Sequence, residues 1–502
     1  MFELNSNVRL VYLYFALGLA LFYISFSPTS ITGMGYTGEE IVTGDGILSK
    51  LTDHPVAVEM PRNGPLPVLL DLPFLGAGRV LFSDASKGED LVLATQPCIL
   101  TALIATLAVI WTYRLTGSPV YGVAIGCVGA VATMLWPYAY IGLETKQSFF
   151  LLLAAFLALE FPQPGAWPAM IAFSVAATFA VGAKSTGVFL VPALAYLTWC
   201  YLVRLRDKQT PSRILSLCQA ILFFVVPSVV FVLNAQGREM FWAKRGTTTL
   251  AFIKAWAVTD AVWPFLNFMS FFGSPNKGLF VFCPVCLLGC YALVQAWRGQ
   301  RRLAGFTLLT LGGLAGGFSL LRDWSDETWG PRYLHAAVAP LLIAFAVVWF
   351  RTPSVVARGV AGVAIVVGLA AAILGMLFPY GFLSVAVNQT GQDTLEGYQG
   401  DIGLNHLRFN EELLELWLLP QRDGTWSSAR QWFYDRPADA RPPKTMDLHP
   451  LAVPQSLLLG HWRERNLGPM RRAWHFYFGC LLTSCAFLTL AFWRTHQISK
   501  RI

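Results

Sequence analysis

Acids, aromatics and one arginine crowd into the segment Asp323-Trp324-Ser325-Asp326-Glu327-Thr328-Trp329-Gly330-Pro331-Arg332-Tyr333-Leu334, between two long apolar runs. Charge inside hydrocarbon is expensive and charge at a membrane surface is cheap, so the segment belongs at an interface. The same surface gathers Glu39, Glu40 and Asp45 just after the first apolar run, together with Glu144, Lys184 and Lys277. A carboxylate close to the bilayer is partly dehydrated, which raises its basicity and suits it to take a proton from a hydroxyl. Arg332 with its neighbour Tyr333, Lys277 in Gly273-Ser-Pro-Asn-Lys277-Gly-Leu-Phe280, and Lys184 in Val181-Gly-Ala-Lys184-Ser-Thr-Gly187 are the matching cations. Cations at the ends of spans suit a phosphate held at headgroup level. Trp324, Trp329 and Tyr333 have the faces to stack on a sugar ring, with Asp326 and Glu327 beside them for contacts to a sugar or an acceptor.

Each of these readings has a plainer counterpart. An acid at a helix start complements the helix dipole and caps free amides, which suits Glu144 and the Glu39-Glu40 pair equally well. A lone lysine or arginine can snorkel to ordinary headgroups. Tryptophan and tyrosine populate membrane interfaces whether or not a ligand is present. Glu39, Glu40, Asp45 and Glu144 also have the oxygen chemistry for a divalent cation such as Mg or Mn. No zinc-like spacing or histidine cluster accompanies them.

The elements that must position these groups follow from composition. Of the 502 residues, 55% are hydrophobic and only 13% charged, with a mean hydropathy of +0.52. That excludes an ordinary soluble globular domain and specifies an all-α polytopic membrane protein. Apolar runs near 10 to 28, 91 to 113, 119 to 138, 147 to 161, 167 to 183, 187 to 203, 214 to 234, 278 to 297, 303 to 321, 334 to 350, 359 to 378 and 474 to 493 predict about twelve spans. The stretch 252 to 272 reads as a further span or an interfacial helix. With the N-terminus inside, the turns on the inner side carry about fourteen basic residues against about three acids. The formal charge of +8 is then a product of topology, and no nucleic-acid partner is needed to explain it.

The organisation expected is a transmembrane catalytic domain over 1–378 with a first outer loop at 29–90, an irregular extracytoplasmic cap at 379–473, and a last helix with a cytoplasmic tail at 474–502. The outer face also carries a loop over about 235 to 277. All nine cysteines fall in apolar runs, so no disulfide framework is expected. Cys283-Pro-Val-Cys286 has redox or metal spacing, but inside a span without a nearby histidine it reads as a pair of small buried residues. Asn388-Gln-Thr390 fits the N-glycosylation pattern.

Taken together, these residues resemble the type C integral-membrane glycosyltransferases, a group that includes protein O-mannosyltransferases and the aminoarabinose transferases that modify lipid A. The resemblance lies in an acidic pair after the first span, an acid at the outer end of the fourth, a short lysine-containing turn before the sixth, and the late Trp329-Gly-Pro-Arg332-Tyr-Leu334. It covers roughly residues 10 to 350. It implies a polyprenyl-phosphate-linked sugar as donor, a glycan, lipid or protein hydroxyl as acceptor, membrane lipids as surroundings, and a site on the extracytoplasmic face of a bacterial inner membrane. It also implies a first-loop acid as base, with inversion at the anomeric carbon. The family usually has Asp-Glu where this chain has Glu39-Glu40, so Glu39 stands first as base, ahead of Glu40 and Asp45. Two other classes fit the composition: a lipid or solute transporter, which calls for ionisable residues near mid-membrane, and a non-catalytic assembly partner with the same fold.

Overall fold

The structure, a computed structural model, describes residues 6–25, 61–81, 85–139, 142–208, 223, 225–258, 262–274, 278–321, 331–349, 354–377 and 470–500. Among them the only strand-like feature is one isolated bridge between Ala257 and Leu321. Everything else regular is helix, so the all-α expectation stands. Among the described residues, six helical stretches are long and apolar enough to cross a membrane: Ser6–Ser25, Thr95–Thr116, Ser185–Arg206, Arg332–Trp349, Val355–Gly375 and Phe478–Ser499. Pro119–Val131 and Trp167–Gly182 are shorter apolar helices.

The chain opens with α1 (Ser6–Ser25), α2 (Leu66–Leu81), α3 (Ala85–Thr116), α4 (Pro119–Val131), α5 (Leu135–Tyr138), α6 (Gly142–Leu159) and α7 (Trp167–Gly182). After a 3₁₀ turn at Ser185–Leu190 come α8 (Val191–Lys208), α9 (Val226–Ala243), α10 (Thr249–Trp256), α11 (Val262–Gly273), α12 (Leu279–Phe282), α13 (Pro284–Gly299) and α14 (Arg301–Ser319). A second 3₁₀ turn, Arg332–Leu334, leads into α15 (His335–Trp349), followed by α16 (Val355–Leu377) and α17 (Met470–Ser499).

Helix α15 is the central post. Every residue from His335 to Val347 is buried, as expected of a helix that is apolar on all sides, and α13, α6, α3 and α14 pack around it. The first and last described helices pair with each other and lean on α3 and α4: Ser484 Oγ donates to the Gly18 carbonyl at 2.7 Å, and Tyr14 stacks on Phe487 at 6.0 Å. Helix α6 is charged at both ends in the sense its dipole favours. Glu144 stands in its first turn, and Arg204 donates to the carbonyls of Ala158 and Phe161 at its far end, at 2.6 and 2.5 Å. Arg114 reaches the Glu160 carbonyl there at 2.9 Å.

Two expected spans are broken, and two further stretches gain detail. The span expected over 119 to 138 is broken between α4 and α5, where Thr133 Oγ1 bonds back to the Gly129 carbonyl and accepts from Leu135 N. The span expected over 278 to 297 breaks at Cys283, whose φ of −138° and ψ of 70° reflect the steric restriction that Pro284 places on its predecessor. The broken end is used, since Met134 N donates to Cys283 Sγ at 3.1 Å. The first outer loop, expected over 29–90, contains α2 of 16 residues. At about 1.5 Å per residue it is too short to span a bilayer, and it packs on α3 and α7 instead. The stretch 252 to 272 resolves into the two short helices α10 and α11.

Because α15 is enclosed on all sides, truncation there leaves a void that its neighbours cannot fill. Ile343, fully buried, should cost about 2–5 kcal/mol on replacement by alanine. Thermal unfolding in detergent checks this; a stability equal to wild type would show that α15 is not the core.

Candidate functional site

The first turn of α6 carries Glu144 and Lys146, two opposite charges two residues apart, and each is buried: 4% and 0% exposed. Consecutive even positions on a helix point to different sides, so the two side chains need different partners. Glu144 finds Lys184, whose ammonium lies 2.6 Å from Oε1, and Arg332, whose Nε lies 3.8 Å from the same oxygen. Lys146 finds Asp71 on α2 at 2.5 Å.

Each partner is delivered by a break in the helical pattern. Lys184 follows α7 in an extended conformation, φ −141° and ψ 147°, just before the Ser185–Leu190 turn. That turn closes so tightly that a Cβ on Gly187 would lie 2.0 Å from the Val181 carbonyl oxygen, a contact only glycine avoids. Arg332 and Tyr333 form the 3₁₀ turn that starts α15. The antiparallel run of α6 and α7, with the start of α15, puts all three at one end of the bundle.

Tyr333 completes the cluster. Its hydroxyl accepts from Arg332 Nη2 at 2.8 Å, its ring stacks on Phe318 at 4.0 Å, and the Lys184 ammonium sits 4.9 Å from the ring centroid. Cations over an aromatic face are stabilised by the ring quadrupole, more so when desolvated. Two cations share one carboxylate in a low-dielectric setting. Glu144 Oε2 is buried and accepts no hydrogen bond from the described residues.

Ser148 and His335 flank this cluster. Ser148 Oγ donates to the Glu144 carbonyl at 2.7 Å and meets His335 Nδ1 at 2.6 Å. A hydroxyl has one proton to give, so a bond to the carbonyl makes Nδ1 the donor in the second contact. The His335 ring packs on Tyr138 at 5.1 Å.

Of the residues that the sequence points to, the structure brings Glu144, Lys184, Arg332 and Tyr333 together. Glu39, Glu40, Asp45, Lys277, Trp324, Asp326, Glu327 and Trp329 lie outside the described residues, as do Asn388 and the expected 379–473 cap up to residue 469, its last four residues belonging to α17. Sequence reading missed Asp71, Lys146, Ser148 and His335. Lys146 carried a signal, a lysine at the head of an apolar run two residues from an acid, but nothing in the sequence pairs it with Asp71. Among the described residues no three of His, Cys, Asp and Glu form a group able to hold a metal ion. Glu144 itself does not fit one, because two cations already face its Oε1.

No family model matches the chain, and no curated protein sequence does. Among solved structures, the chain is similar to ArnT from Cupriavidus metallidurans, crystallised bound to undecaprenyl phosphate. The likeness covers 80% of this chain and 76% of that one at 16% identity, with a TM-score of 0.46.

A buried ion pair is held against a desolvation cost, and removing one partner strands the other. Asp71→Asn should therefore destabilise the fold by about 3–5 kcal/mol, while Asp71→Leu combined with Lys146→Met should return to within about 1 kcal/mol of wild type. Thermal melts of the three proteins decide; equal losses in single and double variants would mean that packing, not charge, holds α2 on α6.

Proposed function

We propose that the protein is a membrane-embedded glycosyltransferase that moves a sugar from a polyprenyl-phosphate carrier to an acceptor hydroxyl on a glycan, lipid or protein, at the extracytoplasmic face of a bacterial inner membrane. The observation that carries this reading is the buried cluster of Lys184, Arg332 and Tyr333 around one carboxylate. A lysine, an arginine and a tyrosine hydroxyl brought together at the end of a helical bundle are the chemistry a lipid-linked phosphate calls for, and the sequence resemblance points to the same donor.

On this reading the carrier chain lies against the apolar helices and its phosphate is held by Lys184, Arg332 and the Tyr333 hydroxyl, with Lys277 assisting. Trp324, Asp326, Glu327 and Trp329 contact the sugar or the acceptor. The acceptor oxygen attacks the anomeric carbon as its proton passes to Glu39, with Glu40 and Asp45 next in line. The bond from carbon to phosphate oxygen breaks, its electron pair leaves with the phosphate, and the anomeric configuration inverts. The phosphodiester donor carries about one negative charge and the departing monoester up to about two. Cations fixed beside the phosphate thus gain most as the bond breaks, which is how preorganised charge lowers a barrier. Glu144 serves as counter-ion that keeps Lys184 and Arg332 in place before the donor arrives. A divalent cation, if the enzyme uses one, belongs with the first-loop acids and not with Glu144.

One observation favours a second reading. The 2.6 Å contact between Lys184 and Glu144 closes much of the cluster on itself, as a purely structural junction in a non-catalytic assembly partner would.

Arg332→Ala should raise the Kd for polyprenyl phosphate by about 10- to 100-fold, the loss of one charged hydrogen-bonded contact, and leave acceptor affinity close to wild type. Native mass spectrometry of the purified protein with added carrier measures this, and a Kd unchanged by the substitution would remove the phosphate assignment. Glu39→Gln should reduce transfer by about 10²- to 10⁴-fold with an unchanged melting temperature; turnover near wild type would place the base elsewhere.

A further inference from the structure

The segment that leads into α2 and the turn that carries Lys184 are both fastened to one face of α9. Asn234 and Arg238 stand four residues apart on that helix, hence on the same side, and are 1% and 6% exposed. Asn234 Oδ1 accepts from Leu66 N at 2.9 Å. Its Nδ2 donates to the carbonyls of Asn63 and Gly182 at 3.1 and 3.0 Å. Arg238 donates through Nε to the Asn63 carbonyl at 3.1 Å, and through Nη2 to the carbonyls of Gly182 and Lys184 at 3.4 and 3.3 Å. Asn63 closes the loop by accepting at Oδ1 from Ser185 N and Oγ at 3.2 and 3.3 Å.

The approach is close enough to dictate a residue type. Gly64 has φ +84°, and a Cβ there would lie 2.4 Å from Asn234 Oδ1. Arg238 is also used in an uncommon way. Its rigid fork of donors suits carboxylates, yet every bond recorded for it ends on a main-chain carbonyl, and two of those carbonyls, Gly182 and Lys184, bracket the turn from which the Lys184 side chain departs. A buried guanidinium spent in this way fixes backbone.

We propose that Asn234 and Arg238 are positioning residues: α9 sets the backbone of the Lys184 turn, and through it the place of the Lys184 ammonium against Glu144. The same clamp grips residues 63 to 66, so it ties the chain that leaves the first loop to the turn bearing Lys184. Its consequence for turnover rests on the glycosyltransferase reading, whereas its effect on Lys184 does not.

The test uses the full-length protein in nanodiscs and an amine-reactive acylating reagent, with modification at each lysine read by peptide mass spectrometry. Arg238→Lys keeps the charge and loses the fork, and it should raise the acylation rate of Lys184 by about tenfold or more, a local opening of the turn. The rate at Lys146, buried in the same bundle against Asp71, should stay at the wild-type value. An unchanged rate at Lys184, or an equal rise at both lysines, overturns the proposal. If Arg238→Lys fails to fold, Asn234→Ser is read in the same way; failure of both to fold assigns a purely structural role and overturns it as well. A second arm measures polyprenyl phosphate binding in a double-mutant cycle of Arg238→Lys with Lys184→Ala. The loss from Arg238→Lys should vanish once Lys184 is gone, and additive losses overturn the link to the phosphate. A wild-type protein that binds polyprenyl phosphate no better than polyprenol sinks the functional reading alone, with the acylation rates still deciding on the clamp.

Discussion

Two opposite charges at the head of α6 constrain the arrangement of everything around them. Glu144 and Lys146 are both buried, and a buried ion without a partner costs far more than the pair. Each must therefore draw a counter-ion from another part of the chain. Glu144 draws the Lys184 turn and the Arg332 turn, which fixes where α7 ends and where α15 begins. Lys146 draws Asp71, which fixes α2 against α6. The net stabilisation from such pairs is small once desolvation is counted. Their effect is selective: helices that are apolar on every side slide past one another at little cost, and ion pairs between them define one register.

The remaining polar groups serve the same end. The far end of α6 is held by Arg114 and Arg204 on its last carbonyls, so the helix is fixed at both termini in the sense its dipole favours. Helix α15 is apolar between its two ends, where His335 meets Ser148 and Trp349 Nε1 donates to the Leu288 carbonyl, and its position is set by these contacts, by the enclosing helices and by the Arg332 turn that precedes it. Where α4 breaks, at Ala132 to Met134, the freed backbone groups are taken up by Thr133 and by the thiol of Cys283 at the other break. That follows from the absence of water in hydrocarbon, where a backbone amide must find a protein partner.

The apolar runs were legible because length and hydropathy suffice to mark a spanning helix, and the breaks within them were not, because they depend on contacts between distant segments. Pro284 did signal one of them locally. Glu144, Lys184, Arg332 and Tyr333 stood out as polar residues at the ends of apolar runs, and they do meet in space. Their mutual pairing was hidden, since one-dimensional spacing does not say that residues 144, 184 and 332 share a carboxylate oxygen. Asp71 was lost for a different reason. It sits in a stretch too short to span, so it read as loop, and only the helix α2 turns it toward Lys146. Asn234 and Arg238 lie at and beyond the edge of an expected span and carry no local motif; their role comes from three carbonyls far away in sequence. The first-loop acids and the tryptophan-rich segment before Arg332 lie outside the described residues, so that half of the candidate site rests on sequence.

Under the proposed reaction, the single carboxylate in the cluster has an energetic role of its own. Two unit charges about 4 Å apart attract by about 4 kcal/mol at the effective dielectric typical near a protein surface. A phosphate monoanion placed beside Lys184 and Arg332 gains two such attractions and meets one repulsion of similar size from Glu144, so its net gain is roughly that of one pair. Each further unit of charge on the phosphate adds about the same again. Without Glu144 the same sum doubles for the resting donor and for each added charge alike, so the carboxylate moderates both, and what it contributes is the placement of the cations. The carboxylate thus offsets affinity for the donor while leaving the cations fixed where charge grows as the sugar departs. It also keeps Lys184 and Arg332 from dispersing to headgroups when no donor is bound.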